Sequence, residues 1–328
     1  MNAAAPAAVD LFWLAPQIES LRQARARGRF PAALLIHDAP GGGGALLALR
    51  AAQAALCPMA QAPCGVCREC RRVEAGEHPD FVRIGLLEEA KRIGVDQIRE
   101  LSAALTLTSH GHGATVALIE PAEAMNANAA NALLKTLEEP RPGVTLILVT
   151  AAPSRLPATV LSRCQRLRVR LPARAATLAW LAAERGAGRW DIVLEVLGNA
   201  PLRALSADAA KLERLRAETF TALDEALAGT LDIPGTAERW VREDLELRLA
   251  CVENWVTRRT YAEIGVPGDF TELRNTPYLP AAGSALNIRS LLRIADALHE
   301  FGRLMSGSVN RALNLEQLLW QLPRAGGA

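Results

Sequence analysis

Ala33-Leu34-Leu35-Ile36-His37-Asp38-Ala39-Pro40-Gly41-Gly42-Gly43-Gly44-Ala45 is the stretch whose reading decides the fold. Four apolar residues, too few for a helix, run into a turn-rich segment, and a helical pattern with Leu46, Leu47 and Leu49 follows to Leu56. A buried strand, a glycine turn and a helix in that order open a βαβ unit with a parallel sheet. Outward from it, Phe81 to Ile84, Thr115 to Ile119 and Thr145 to Thr150 read as further strands. Val95 to Leu107 reads as a helix, because Val95, Ile98, Leu101 and Leu105 recur at intervals of three and four. A second helix runs to Glu139, where Pro140 ends it.

Leu171-Pro172 marks a boundary, and a short helical segment with Trp180 and Trp190 ends near Gly198-Asn199-Ala200-Pro201. From Ser206 the pattern is helical, interrupted by the loop Gly265 to Gly283. The last long helix places Ile288, Leu291, Leu292, Ala295 and Leu298 on one face, the pattern of a packed bundle. The expected class is therefore α/β plus all-α.

At 328 residues the chain exceeds one ordinary core and suits two or three domains. Half the residues are hydrophobic and 22% are charged, a globular composition. With 37 basic and 35 acidic residues the net charge is only +2, which argues against a chain built mainly to bind nucleic acid or an anionic membrane. No stretch approaches the roughly 20 apolar residues that span a bilayer. The short apolar run Leu11 to Leu14 follows Asp10 rather than a basic segment, so no secretory signal is expected. The location expected is the cytoplasm, with no membrane partner.

The glycine loop Gly41, Gly42, Gly43, Gly44 sits where backbone N–H groups at a helix start attract phosphate. A working loop adds a lysine for the β- and γ-phosphates and a Ser or Thr hydroxyl for Mg²⁺. Gly44 and Ala45 hold those places, and no lysine precedes Lys91. The strand ending at Ile119 leads into Glu120-Pro121-Ala122-Glu123. Glu120 could stand in for the metal-binding Asp, but Pro121 cannot activate water. Glu123 reads as a solvated helix-start residue. ATP hydrolysis by this chain is not expected.

Cys57, Cys64, Cys67 and Cys70 fall within fourteen residues, whereas Cys164 and Cys251 stand apart. Four clustered thiols suit a closed tetrahedral site for structural Zn²⁺. An iron–sulfur cluster is the competing reading, although in ferredoxins the fourth ligand follows the Cys-x2-Cys-x2-Cys run rather than preceding it. Arg68, Arg71 and Arg72 beside the cluster also leave open a zinc-dependent nucleic-acid-binding module.

Several segments together resemble the clamp-loader AAA+ family. They are Trp13-Leu14, Gly28 to His37, the four-cysteine insert, His78-Pro79-Asp80, and Val95-Asp96-Gln97-Ile98-Arg99. The most specific are Asn131-Ala132-Leu133-Leu134-Lys135-Thr136-Leu137-Glu138-Glu139-Pro140 and Leu161-Ser162-Arg163-Cys164. The resemblance implies a RecA-like AAA+ domain over residues 1–171 with a zinc module at 57–70. It also implies a helical lid over 172–207 and a helical collar over 208–328 that packs against other subunits. By the same resemblance Arg163 is an arginine finger acting in trans on the ATP site of a neighbouring gamma/tau subunit. The partners implied are the gamma/tau and delta subunits, with the sliding clamp and primed DNA reached through the assembly. A nucleotide-sensing arginine of the family falls at Leu202 here, with Arg203 one residue late. A catalytic gamma/tau-type ATPase is the enzymatic alternative, and it requires the lysine that Gly44 replaces.

Cys164 reads as a buried packing residue and Lys135 as exposed. His78 is expected to shape its turn, and His110 and His112 to lie in an exposed loop.

Overall fold

A computed structural model describes residues 11–106, 113–264, 288–304 and 310–322. The expected loop Gly265 to Gly283 and both His110 and His112 lie outside the described residues. The chain divides into two compact units. The first comprises Met1–Ala173 with Ala200–Leu202, the second Arg174–Asn199 with Arg203–Ala328.

The first unit is built on one parallel sheet of five strands, β1 (Ala33–His37), β2 (Phe81–Ile84), β3 (Thr115–Ile119), β4 (Val144–Thr150) and β5 (Gln165–Arg168). Their order is β2-β3-β4-β1-β5. Strands of a parallel sheet are covered on both faces, so they read as continuous apolar runs rather than alternating ones. All seven residues of β4 are buried. The helices of this unit are α1 (Ala15–Ala26), α2 (Gly44–Leu56), α3 (Arg68–Ala75), α4 (Val95–Ala104), α5 (Ala127–Glu138) and the short α6 (Ala158–Leu161), with α1 and α3 packed on α2 and α6 on α5.

One face packs Leu35, Ala117, Ile119, Leu146 and Leu148 against Ile98 and Leu101 of α4 and Leu133 and Leu137 of α5. α2 lies against β1, β3 and β4 through Leu47, Ala48, Ala51 and Ala52, all fully buried. Its alanines let the helix backbone approach the sheet closely. This is the RecA-like α/β core that the resemblance implies. The α5 start follows from Asn126, whose Oδ1 accepts from the Ala129 N–H at 2.8 Å.

β5 has no apolar run to announce it. Gln165-Arg166-Leu167-Arg168 is mostly exposed and forms because the outer edge of β1 needs a partner.

The second unit is helical. It holds α7 (Arg174–Arg185), α8 (Trp190–Val196), α10 (Ala209–Leu227), α11 (Ile233–Arg242), α12 (Leu245–Ile264), α13 (Ile288–Leu304) and α14 (Arg311–Leu319), with the short α9 (Pro201–Leu205) at the division between units. On α13 the buried stripe differs from the expected one. Leu291, Ile294 and Phe301 are buried, whereas Ile288 and Leu292 are exposed. The apolar positions of that helix span a wider arc than its neighbours cover.

The core of this unit contains charge. The Glu195 carboxylate, 7% exposed, pairs with Arg216 at 2.9 Å and Arg258 at 2.7 Å. Its backbone carbonyl accepts from Asn254 Nδ2 at 2.6 Å. Arg216 lies over the Phe220 ring at 4.4 Å and Arg259 over Trp255 at 4.3 Å, so these guanidiniums are held by aromatic faces as well as carboxylates. Removing one member of a buried ion set leaves the others uncompensated, typically at about 3–5 kcal/mol. Glu195→Ala is expected to lower the stability of the helical unit by about that amount. Urea denaturation would read it as a lower midpoint at an unchanged slope.

Candidate functional site: glycine loop, cysteine cluster and exposed arginine

The glycine loop joins the C-terminal end of β1 to the N-terminus of α2. Gly43 caps α2 at φ +97°, a left-handed conformation that side chains rarely adopt, so a glycine belongs there for backbone reasons alone. The loop is held from outside: Trp13 Nε1 donates to Gly42 O at 2.7 Å, and the Leu202 N–H donates to Gly41 O at 3.1 Å. Leu202 thus packs on the loop, its Cδ1 3.3 Å from where a Cβ on Gly43 would stand.

The group facing the α2 N-terminus is a carboxylate of the chain itself. The Gly44 N–H donates to Asp38, whose Oδ1 is buried with no hydrogen-bond partner. Burial, opposed by that bond and reinforced by the nearby Glu120 carboxylate, pushes Asp38 up to about 6. Asp38 was legible in the sequence only as a turn residue.

Glu120, the possible metal-binding stand-in, is engaged by the Arg83 guanidinium at 2.8 Å. Glu123 is not the solvated residue expected. Its Oε1 accepts from the Ala151 N–H at 3.1 Å just past β4, and its Oε2 is buried without a hydrogen-bond partner.

The four cysteines expected as ligands converge. Their Sγ atoms all lie within 4.8 Å of one another, at 3.6 Å for Cys57–Cys64, 3.8 Å for Cys57–Cys67 and 3.9 Å for Cys64–Cys70. A tetrahedron of sulfurs about 2.3 Å from a central ion has edges of about 3.8 Å. The donor set therefore fits one tetrahedral ion, and its separations are far longer than a disulfide's.

The chain turns at Gly65, φ +73°, so that the Cys67 N–H donates to Cys64 Sγ at 3.3 Å, and the Cys70 N–H donates to Cys67 Sγ at 3.4 Å as the cap of α3. The backbone N–H groups of Cys67 and Val66 pull the Cys64 thiol down to about 6, whereas burial pushes Cys70 up. Side chains from α1 and α2 hold the module to the sheet domain: Gln53 Nε2 donates to Cys70 O at 2.9 Å, Arg22 to Pro63 O at 3.4 Å, and Arg25 to Cys57 O. His78, 6% exposed, accepts from the Asp80 N–H at 3.0 Å and meets Glu69 of α3 at 3.0 Å, which ties the insert to β2.

Arg163 follows α6. Its Nη1 donates to Thr159 O at 3.0 Å and to Ser162 Oγ at 3.4 Å, and its Nη2 meets Glu138 Oε1 of α5 at 2.6 Å. The side chain keeps 35% of its surface exposed. The sequence showed only arginines nearby; the acid comes from a different element, 25 residues upstream. Cys164 is buried in the α4–α5 core, which pushes its thiol up to about 11 and suits packing rather than nucleophilic chemistry. Lys135 is exposed, as expected.

Residues 14–172 match the family described as "DNA polymerase III, delta subunit". The chain is 33% identical over 307 residues to the DNA polymerase III subunit delta' of Pseudomonas aeruginosa, covering 90% of this chain and 92% of that one. To the same subunit of Escherichia coli it is 37% identical over 174 residues, 52% of each chain. A solved gamma-subunit-related protein of Thermotoga maritima aligns over 94% of this chain and 99% of its own, at 21% identity and a TM-score of 0.46.

Two outcomes follow from the geometry. Replacing one sulfur leaves a tetrahedral ion three ligands, so Cys67→Ser is expected to lower metal content in atomic absorption and to loosen the 57–70 module. Asp38 carries a raised folded value, so its contribution to stability is full below its unfolded value near 4 and is lost as pH rises through about 6. Asp38→Asn, which keeps an acceptor for Gly44, should therefore be more stable than the wild type at pH 8, with the gain vanishing near pH 4. The partial exposure of Asp38 limits the gain to about 1–2 kcal/mol. Thermal melts across that range would read it.

Proposed function

The chain belongs to the DNA polymerase III delta' subunit family, and on that premise we propose that it is a non-hydrolysing clamp-loader subunit. In this reading Arg163 completes the ATP site of a neighbouring gamma/tau subunit. The observation that carries it is the presentation of that arginine. Cys164 is sunk in the core beside it, Thr159 and Ser162 hold one guanidinium nitrogen, and the other meets only a half-exposed carboxylate.

Such an exposed pair is worth about 0–1 kcal/mol, so exchanging Glu138 for a phosphate costs little. A guanidinium then stabilises charge spreading over the transferring phosphoryl group, and its planar fork makes two directed bonds where lysine makes a point contact.

The chain's own loop supports the non-hydrolysing half of the reading. Gly44 and Ala45 lack the lysine and hydroxyl, Asp38 occupies the helix N-terminus, and Arg83 engages Glu120. The gamma/tau-type catalytic alternative needs those groups.

In the same reading the four cysteines hold a structural Zn²⁺. Their sulfurs stand too close for a cluster of several irons and sulfides between them, and a closed set of four thiolates leaves no position for substrate. The near-neutral charge of the chain supports DNA contact through the assembled complex rather than through an independent zinc-dependent binding module.

Residues 172–207 serve as the lid and 208–328 as the collar that packs against the gamma/tau and delta subunits. The complex acts in the cytoplasm on the sliding clamp and primed DNA. No helix among the described residues is long and apolar enough to cross a membrane.

The test is ATP turnover by purified gamma/tau and delta subunits with clamp and primed DNA, with this chain added as wild type, Arg163→Ala or Arg163→Lys. Both variants should co-elute with the complex. The site they serve should lose about 10³-fold or more in rate, and total turnover should fall by the share that site carries. Wild-type turnover with Arg163→Ala would refute the assignment.

A further inference from the structure

The phosphate-loop pattern has two glycines five positions apart, then a lysine, then a Ser or Thr. With Gly44 at the lysine place, Gly43 takes the second glycine and Asp38 takes the first. The chain thus has a side chain where the pattern has none, and none where the pattern has its longest one.

The structure joins these two departures. A Cβ built on Gly44 falls inside the van der Waals shells of Asp38 Cβ and Cγ, and 2.8 Å from Oδ2. Asp38 Cβ is one bond from the backbone and cannot swing aside, so the two side chains exclude each other unless the loop moves. Asp38 is fixed in turn, since its N–H donates to Thr150 O at 2.9 Å. Its carboxylate takes the Gly44 N–H, one of the donors a phosphate would use. It also crowds Gly42, where a Cβ would stand 3.1 Å from Oδ1.

We propose that Asp38 and Gly44 are one coupled exchange, in which the Asp38 side chain fills the volume of the absent lysine stem and its carboxylate serves as the loop's own anion, closing the loop to the phosphates of a nucleotide. Asp38 is thereby the residue that decides what the loop holds. The inference deepens the reading of this chain as a non-hydrolysing subunit and rests on it. It adds that restoring the lysine alone cannot restore nucleotide binding.

The experiment is a double-mutant cycle on the full chain. The wild type, Asp38→Gly, Gly44→Lys and the Asp38→Gly/Gly44→Lys pair are compared for ATP binding by equilibrium dialysis, with inorganic pyrophosphate as competitor. Circular dichroism checks that each is folded. The wild type and Gly44→Lys should show no saturable binding at millimolar ATP. The pair should bind at least about tenfold more tightly than either single variant, and pyrophosphate should displace the ATP.

A pair that binds no more tightly than Gly44→Lys would overturn the coupling while leaving the non-hydrolysing reading intact. A wild type that binds ATP as tightly as the pair would also overturn the coupling, and only a wild type that turns the bound ATP over would overturn the non-hydrolysing reading as well. A second arm needs no nucleotide. Gly44→Ala, which adds only the Cβ, should lower the melting temperature in the wild-type background and not in the Asp38→Gly background. Equal losses in both backgrounds would overturn the steric linkage.

Discussion

A parallel sheet must be covered on both faces, and the first unit is arranged around that constraint. β4 is buried along its whole length, so helices lie on each side of it, and the alanine-rich α2 can lie close because its inner face is small. The connections at the carboxyl ends of the strands are then left to carry chemistry, as open α/β sheets do. Asp38 follows β1, Glu120 follows β3, and Ala151, which takes Glu123, follows β4. These groups are neighbours because the strands that carry them are neighbours.

At that edge the chain balances its charges internally. A nucleotide would bring anions to the α2 N-terminus and a metal would bring a cation to the end of β3. Here a carboxylate sits at the first and a guanidinium engages the second. The compensation is incomplete: Asp38 is pushed up by burial despite its bond to Gly44, the mark of an anion held in a place that limits its hydration. The cysteine cluster is built on the opposite principle. Four sulfurs within 4.8 Å cannot all be thiolates without a cation among them, so that module can hold an ion supplied from outside. In the helical unit the charge is paired again, with Glu195 between Arg216 and Arg258.

Much of this was legible in the sequence. The strands β2 and β3 coincide with the expected runs, and β1 and β4 differ from them by one residue, because buried parallel strands are continuous apolar stretches. The convergence of the four cysteines was legible because they are close in sequence and of one chemical type. β5 was not, since an exposed edge strand needs only backbone pairing and carries no apolar signature. Ile288 and Leu292 were placed on a buried face because periodicity tells which residues share a side of a helix, not how much of that side a neighbour covers.

The sequence by itself determined the α/β and helical parts, the absence of the loop's lysine and hydroxyl, the four clustered cysteines and the Ser-Arg-Cys segment. All are local patterns, written within a few consecutive turns of chain. Only the tertiary structure decided what fills the loop, what holds Glu120 and what restrains Arg163. Asp38 meets Gly44 across a turn, Arg83 reaches Glu120 from the adjacent strand, and Glu138 meets Arg163 from a separate helix. Those partners are set by which elements pack together, and residue spacing along the chain carries no record of it.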